Sequence, residues 1–154
     1  MRTALDTNVL SALWSGEPSA REIESALFEA RGEGGLVICA PVYCELLAYP
    51  SATRHFIQQF CRETGIFLDF LLDEQVWERA AHAFVAYAQR RRQSRAGSPK
   101  RLLVDFIVAA HALLRADRLM TLDASRYRRI FRSCASYERS DLDLITCSFK
   151  ACLP

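Results

Sequence analysis

The stretch Thr3-Ala4-Leu5-Asp6-Thr7-Asn8-Val9-Leu10 decides the fold of this 154-residue chain. Its first three residues form a short apolar run, and apolar residues recur at helical spacing after Asp6, which predicts a buried strand followed directly by a helix. We expect Asn8 to cap this helix, because an Asn side chain can accept hydrogen bonds from free N–H groups of a first turn. Asp6 then lies at a strand-to-helix junction, where α/β proteins bind ligands.

The rest of the chain repeats this alternation of strands and helices. Further apolar runs of strand length lie at Leu36–Cys39, Ile66–Leu68 and Leu119–Met120, with a last one around residues 142–145, and helical patterns separate them. This order predicts an α/β fold, a three-layer α/β/α sandwich with a mostly parallel central sheet. The length suits a single domain over residues 1–154, whose pattern is weakest over residues 133–154.

The composition, 51% hydrophobic and 25% charged, is that of a folded globular protein. No apolar run reaches the roughly 18–20 residues that span a bilayer. Asp6 and Asn8 also interrupt any apolar leader segment. We therefore expect a cytoplasmic protein with no membrane partner. No C-x-x-C pair occurs among the six cysteines, so reduced, unpaired thiols are expected at Cys39, Cys44, Cys61, Cys134, Cys147 and Cys152.

The net charge is only +2, but the basic residues are unevenly distributed. Half of the 20 lysines and arginines fall in two short segments. Segregated cationic patches are typical of a nucleic-acid footprint, although such runs also occur as ordinary solvated faces. The candidate RNA-binding residues are Arg90, Arg91, Arg92, Arg95, Lys100 and Arg101 in the first segment and Arg126, Arg128, Arg129 and Arg132 in the second.

Two acids follow strands, and two more lie in apolar helices. Asp6 and Asp123 come after the first and fourth predicted strands, whereas Glu45 and Asp105 lie in helices beside apolar residues. Taken singly, each has an ordinary interpretation as a cap, a turn residue or an ion-pair partner. Taken together, four converging carboxylates would repel one another unless a cation neutralised them. Oxygen-only ligands suit a hard ion such as Mg²⁺, which can activate water towards a scissile phosphate.

Four motifs carry a family resemblance: LDTNVL at 5–10, PVYCELL at 41–47, LLVDFIVAAHALL at 102–114 and TLDASRY at 121–127. In this order and spacing they resemble the landmarks of PIN domains, and more narrowly the VapC-type toxins of bacterial type II toxin–antitoxin systems. The resemblance covers about residues 2–131. It implies an α/β/α sandwich with an acidic pocket that binds Mg²⁺ or Mn²⁺.

The resemblance also implies endoribonuclease activity, often against tRNA or ribosomal RNA. It assigns catalysis and metal binding to Asp6, Glu45, Asp105 and Asp123, with support from Thr7, Asn8 and Thr121. Toxins of this kind usually form homodimers and are held inactive by a small antitoxin that binds operator DNA. One departure is the residue before Pro41: the family often has Ser or Thr there as a helix cap, and this chain has Ala40.

Two other functions remain as alternatives. The first is a catalytically silent PIN fold that only binds RNA or a partner, although such a protein would gain nothing from a repulsive acidic pocket. The second is a phosphatase with Asp6 as the nucleophile. That chemistry requires a second Asp two residues later, where this chain has Asn8, so the phosphatase is strongly disfavoured.

Overall fold

The computed structural model describes residues 1–94, 103–134 and 143–146, without the side chains of 131–134 and 143–146. A five-stranded sheet with the order β3-β2-β1-β4-β5 forms its centre. Every neighbouring pair of strands is parallel, which confirms the predicted parallel sheet. The strands are β1 (Thr3–Leu5), β2 (Leu36–Cys39), β3 (Ile66–Asp69), β4 (Arg118–Thr121) and β5 (Asp143–Thr146).

The helices cover both faces of this sheet. From β1 to β3 the chain moves towards one edge, and from β4 to β5 it moves towards the other. Because crossovers between parallel strands are right-handed, the helices of the two halves lie on opposite faces, as predicted for a three-layer sandwich. They are α1 (Thr7–Trp14), α2 (Ala20–Gly34), α3 (Ala40–Leu47), α4 (Arg54–Thr64), α5 (Glu74–Gln93), α6 (Leu103–Arg115) and α7 (Ala124–Cys134).

The strand predicted near the end of the chain is confirmed as β5. It pairs in parallel with β4, with Leu119 opposite Leu144 and Met120 opposite Ile145. The remaining residues of the predicted tail, 135–142 and 147–154, lie outside the described residues. That residues 1–154 form one domain stays a prediction.

The predicted cap of the first helix was wrong by two residues. The helix begins at Thr7, and Asp6 is its N-cap, with φ −83° and ψ 152°. An N-cap residue precedes the helix in extended conformation, and Asp6 meets this requirement at the end of β1. Asn8 lies inside the first turn, and its side chain is used in contacts with the residues at the end of β4.

The core surrounds the sheet and α6. The strands β1 and β2 are buried along their whole length. In α6, all residues from Phe106 to Leu113 are buried, so this helix is apolar on nearly every side. Within the described part of the chain, no helix combines the length and apolar composition that crossing a bilayer requires.

The cysteine prediction is confirmed where the structure describes the side chains. Cys39, Cys44 and Cys61 are free thiols. Burial raises the pKa of Cys39 and of Cys61 to about 11, so both stay protonated and pack as small apolar groups. The prediction for Cys134, Cys147 and Cys152 lies outside the described side chains.

Two glycines allow a matched test of the backbone conformation. Gly65 ends α4 with φ +71°, whereas Gly32 lies inside α2 with open space around it. We expect Gly65→Ala to lower the free energy of unfolding by about 1 kcal/mol, because a Cβ disfavours the left-handed conformation. Gly32→Ala should raise it by about 0.5–1 kcal/mol through better helix propensity. Urea unfolding midpoints that move in the same direction for both variants would contradict this expectation.

Candidate active site

Asp6 lies at the carboxyl edge of the sheet, where the direction of the chain reverses. Its strand, β1, is adjacent to β4, and its backbone N–H donates to the carbonyl oxygen of Met120 at 3.0 Å. The helices that follow these two strands, α1 and α7, lie on opposite faces. Such a point of reversal opens a crevice at the carboxyl ends of the strands, which is the usual ligand site of an open α/β sheet.

The Asp6 carboxylate is held by a dense set of hydrogen bonds. One oxygen accepts from the Thr7 backbone N–H at 2.9 Å. The other accepts from the Asn8 amide at 2.7 Å and from the Thr121 hydroxyl at 2.8 Å. The Tyr127 hydroxyl is a further donor. Asp6 is only 7% exposed, so its orientation is fixed by the residues that surround it.

The environment of Asp6 opposes its negative charge. Burial raises the pKa of Asp6, and the negative charge of Glu45 adds to this effect. The hydrogen bonds from Thr121, Tyr127 and the Thr7 backbone act in the opposite direction but do not cancel it. The pKa of Tyr127 is also raised, first by burial and then by the charges of Asp6 and Asp105. The Tyr127 hydroxyl therefore keeps its proton and remains a donor.

Glu45 is joined to Asp6 through Thr7. It lies in α3 and is exposed. The Thr7 hydroxyl donates to a Glu45 carboxylate oxygen, while the Thr7 backbone N–H donates to Asp6. One residue at the start of α1 thus sets the relative position of two acids, Asp6 and Glu45, that lie far apart in sequence.

Asp105 and Asp123 share one guanidinium. Arg126 Nη1 lies 3.1 Å from Asp105 Oδ1, and Arg126 Nε lies 3.1 Å from Asp123 Oδ2. Burial acts to lower the pKa of Arg126, but the two carboxylates outweigh it and raise the pKa. The other Asp123 oxygen accepts from the Arg126 backbone N–H and from the Ser125 hydroxyl, so Asp123 also serves as a cap for α7. The cap interpretation of Asp123 is confirmed, and its role in a metal or catalytic site stays a prediction.

The structure brings the predicted acids together as two pairs, Asp6 with Glu45 and Asp105 with Asp123. Asp6 and Glu45 interact through Thr7, and Tyr127 lies within electrostatic reach of both Asp6 and Asp105. The described residues nevertheless include no group of three or more acids, histidines or cysteines placed to hold one metal ion. The chemistry of the donor set, carboxylate oxygens alone, fits a hard divalent cation. Ligation by Asp6, Glu45, Asp105 and Asp123 stays a prediction.

Sequence reasoning missed the contacts that two residues, Arg126 and Tyr127, make in this site. It placed Arg126 in the RNA footprint, whereas the structure pairs this residue with two acids. The spacing of Asp123 and Arg126, three residues apart on a helix, was an available signal for one of these pairs. The bond from Tyr127 to Asp6 has no local signal, because it joins residues from opposite ends of the sequence.

The other predicted RNA-binding residues that the structure describes lie on two helices that contact each other, α5 and α7. Arg90 and Arg92 are exposed at the end of α5, and Arg128 and Arg129 are exposed on α7. Arg91 is half-buried. The predicted positions Arg95, Lys100 and Arg101 lie outside the described residues, as does the side chain of Arg132.

Comparison with known proteins identifies the fold family. A model of the PIN domain matches residues 3–131, which include every predicted acid. The chain belongs to the PIN domain family. Among curated proteins, none matches this PIN protein.

Two solved structures are similar to this PIN domain over nearly their full length. VapBC-1 from nontypeable Haemophilus influenzae aligns with a TM-score of 0.58 and 20% identity, covering 95% of this chain and 98% of the other. VapBC2 from Rickettsia felis, bound to a DNA fragment from its promoter, aligns with a TM-score of 0.59 and 16% identity, covering 96% and 100%. At these identities the likeness establishes the common fold.

Proposed function

We propose that this PIN protein is an endoribonuclease that depends on Mg²⁺ or Mn²⁺ and hydrolyses RNA phosphodiester bonds. The observation that carries the proposal is the connected set of acids at the carboxyl edge of the sheet. A buried acid, Asp6, is oriented by four side-chain or backbone donors, and Thr7 joins it to Glu45. Asp105 and Asp123 contact one guanidinium, that of Arg126, and the charges of Asp6 and Asp105 both act on Tyr127.

Each part of the chain has a distinct task in this proposal. Asp6, Glu45, Asp105 and Asp123 would hold the cation. When bound, a divalent cation supplies a Lewis acid and lowers the pKa of a coordinated water. Thr7, Asn8 and Thr121 hold the carboxylate of Asp6, and Thr7 also contacts that of Glu45. Little reorganisation of these groups is therefore needed during reaction. The exposed arginines of α5 and α7 would contact the RNA backbone.

The proposal extends to the biological role. We propose that the protein is the toxin of a type II toxin–antitoxin pair of the VapC type, acting in the cytoplasm on RNA, with tRNA and ribosomal RNA as candidate substrates. We also propose a homodimer and a cognate antitoxin as partners. The structural similarity to two VapBC complexes supports an antitoxin partner.

The direct test is cleavage by the purified protein. We expect fragments from a panel containing tRNA, ribosomal RNA and a single-stranded oligonucleotide when Mg²⁺ or Mn²⁺ is present. EDTA should abolish cleavage, and excess Mg²⁺ should restore it, because without a cation the carboxylates repel the scissile phosphate and no metal ion stabilises its developing charge. Mapping the fragment ends would identify the cleaved bond. Failure to cleave any RNA class with either ion would overturn the proposal.

One observation favours a second candidate, a PIN fold that binds RNA or a partner without catalysis. Arg126 already neutralises Asp105 and Asp123, so these acids need no metal to coexist. Titration with Mn²⁺ separates the two candidates. If the protein is a nuclease, it should bind Mn²⁺, and Asp105→Asn should weaken this binding. If it is the silent protein, we expect no Mn²⁺ binding and no effect of this substitution on the titration.

A further inference from the structure

We infer that Arg126 is an internal cation that competes with the divalent ion for Asp105 and Asp123. The inference deepens the proposed function and rests on it. The guanidinium contacts one oxygen of each acid at 3.1 Å, from Nη1 to Asp105 and from Nε to Asp123. One positive charge thereby holds a carboxylate of α6 and the carboxylate that caps α7.

The Arg126 guanidinium and a divalent cation exclude each other at these two carboxylates on electrostatic grounds. A carboxylate oxygen in contact with Arg126 gains the favourable interaction that it would otherwise gain from a metal ion. When the cation binds both acids, the guanidinium must give up these contacts, since it would otherwise face a like charge at short range. The exposed fraction of the Arg126 side chain is 44%, so a rotation into water is available to it.

The position of Arg126 on α7 stabilises the state of the site in which no metal ion is bound. Its backbone lies in the first turn of α7, where its N–H donates to Asp123 Oδ1 at 3.0 Å. The same residue therefore holds Asp123 through its backbone and through its side chain. Movement of the side chain breaks these ion pairs but leaves the cap of α7 intact, because the cap uses the backbone N–H.

The effect on metal affinity follows from the strength of the ion pairs. Pairs that are partly exposed contribute modestly, so we expect Arg126→Gln to bind Mn²⁺ about threefold to tenfold more tightly than the wild type. The Mn²⁺ affinity of Arg126→Lys should lie between those of the wild type and Arg126→Gln, because a single ammonium cannot contact both carboxylates as a guanidinium does.

Arg128 supplies the matched control. It lies on the same helix, is exposed, and has no ion pair with an acid in the described part of the chain. Arg128→Gln removes the same charge two residues away, so it measures the general effect of charge on cation affinity. We expect its Mn²⁺ affinity, measured by calorimetry without RNA, to lie within about twofold of the wild type, since exposed charges are largely screened.

A measurement on the wild type avoids dependence on variant folding. Side-chain Nε–H signals of arginine can be followed by NMR while Mg²⁺ is added, and the Arg126 signal is assigned by its loss in Arg126→Gln. We expect this signal to shift with the same midpoint as metal binding and to approach the position typical of solvated arginines.

The outcomes distinguish this inference from the proposed function. Equal Mn²⁺ affinity in Arg126→Gln and Arg128→Gln, or an Arg126 signal unmoved at saturating Mg²⁺, overturns the competition even if the protein cleaves RNA. Tighter binding in Arg126→Gln alone supports the competition even if no RNA is cleaved, in which case only the proposed function fails. Absence of Mn²⁺ binding in every protein overturns the competition.

Discussion

In Asp6→Asn, we expect metal-dependent RNA cleavage to fall by about a thousandfold, the scale at which loss of one preorganised electrostatic group reduces catalysis. Asp6 is the most buried of the four acids and accepts the bonds from Asn8 and Thr121. The substitution keeps the shape of the side chain but removes the negative charge. An Asn amino group cannot accept these bonds, but the substitution also removes a charge that burial disfavours, so the two effects on the free energy of unfolding oppose each other.

Asp117→Asn is the control for this experiment. Asp117 is exposed before β4, at the opposite end of the sheet, and its carboxylate accepts from the Arg2 backbone N–H at 2.7 Å. The amide oxygen of Asn can accept the same bond, so cleavage by Asp117→Asn should match that of the wild type. Circular dichroism establishes that each variant is folded at the assay temperature. A folded Asp6→Asn protein that keeps more than about a tenth of wild-type activity would show that Asp6 is not required.

In Phe106→Ala, we expect the free energy of unfolding to fall by about 3–5 kcal/mol. Phe106 is 1% exposed and lies in α6, next to Asp105. Its ring packs edge-on against Phe84 at 5.3 Å between centroids and at a tilt against Tyr87 at 5.5 Å. Truncation leaves a cavity between α5 and α6 and removes these aromatic contacts. The expected loss is a large part of the free energy of unfolding of an ordinary domain.

Phe28→Ala makes the same chemical change at an exposed position. The Phe28 side chain is 78% exposed, so its truncation should change the free energy of unfolding by no more than about 0.5 kcal/mol. Urea unfolding of both variants, followed by circular dichroism, measures the difference. Similar midpoints for the two variants would mean that the α5–α6 contact is not part of the cooperative core.

Much of the fold was predictable because its signals are local. The apolar runs at 36–39 and 66–68 and the pair 119–120 were each predicted as strands, and each is a strand in the structure. The cap of α5 is also local, because the Asp73 carboxylate accepts from the Val76 N–H three residues later. Such patterns report burial and capping within a few residues, which is why one sequence suffices to read them.

The details of the site were less predictable, because they join distant segments. The motifs identified the supporting residues Asn8 and Thr121, whose bonds to Asp6 the structure contains. The role of Arg126 was not predicted. A run of basic residues indicated an RNA-binding surface, whereas the Arg126 side chain forms ion pairs with two acids. No periodicity distinguishes an arginine that faces solvent from one that reaches a carboxylate 21 residues earlier in the chain.

The sequence by itself determined the order of strands and helices, the PIN family and the positions of its four acids, because apolar spacing and short motifs are properties of neighbouring residues. Only the tertiary structure decided which groups meet at the carboxyl edge of the sheet. There Thr7 joins Asp6 to Glu45, and Arg126 joins Asp105 to Asp123. The physical reason is that hydrogen bonds and ion pairs act over a few ångströms of space, and the packing of α1, α3, α6 and α7 around the sheet sets those distances.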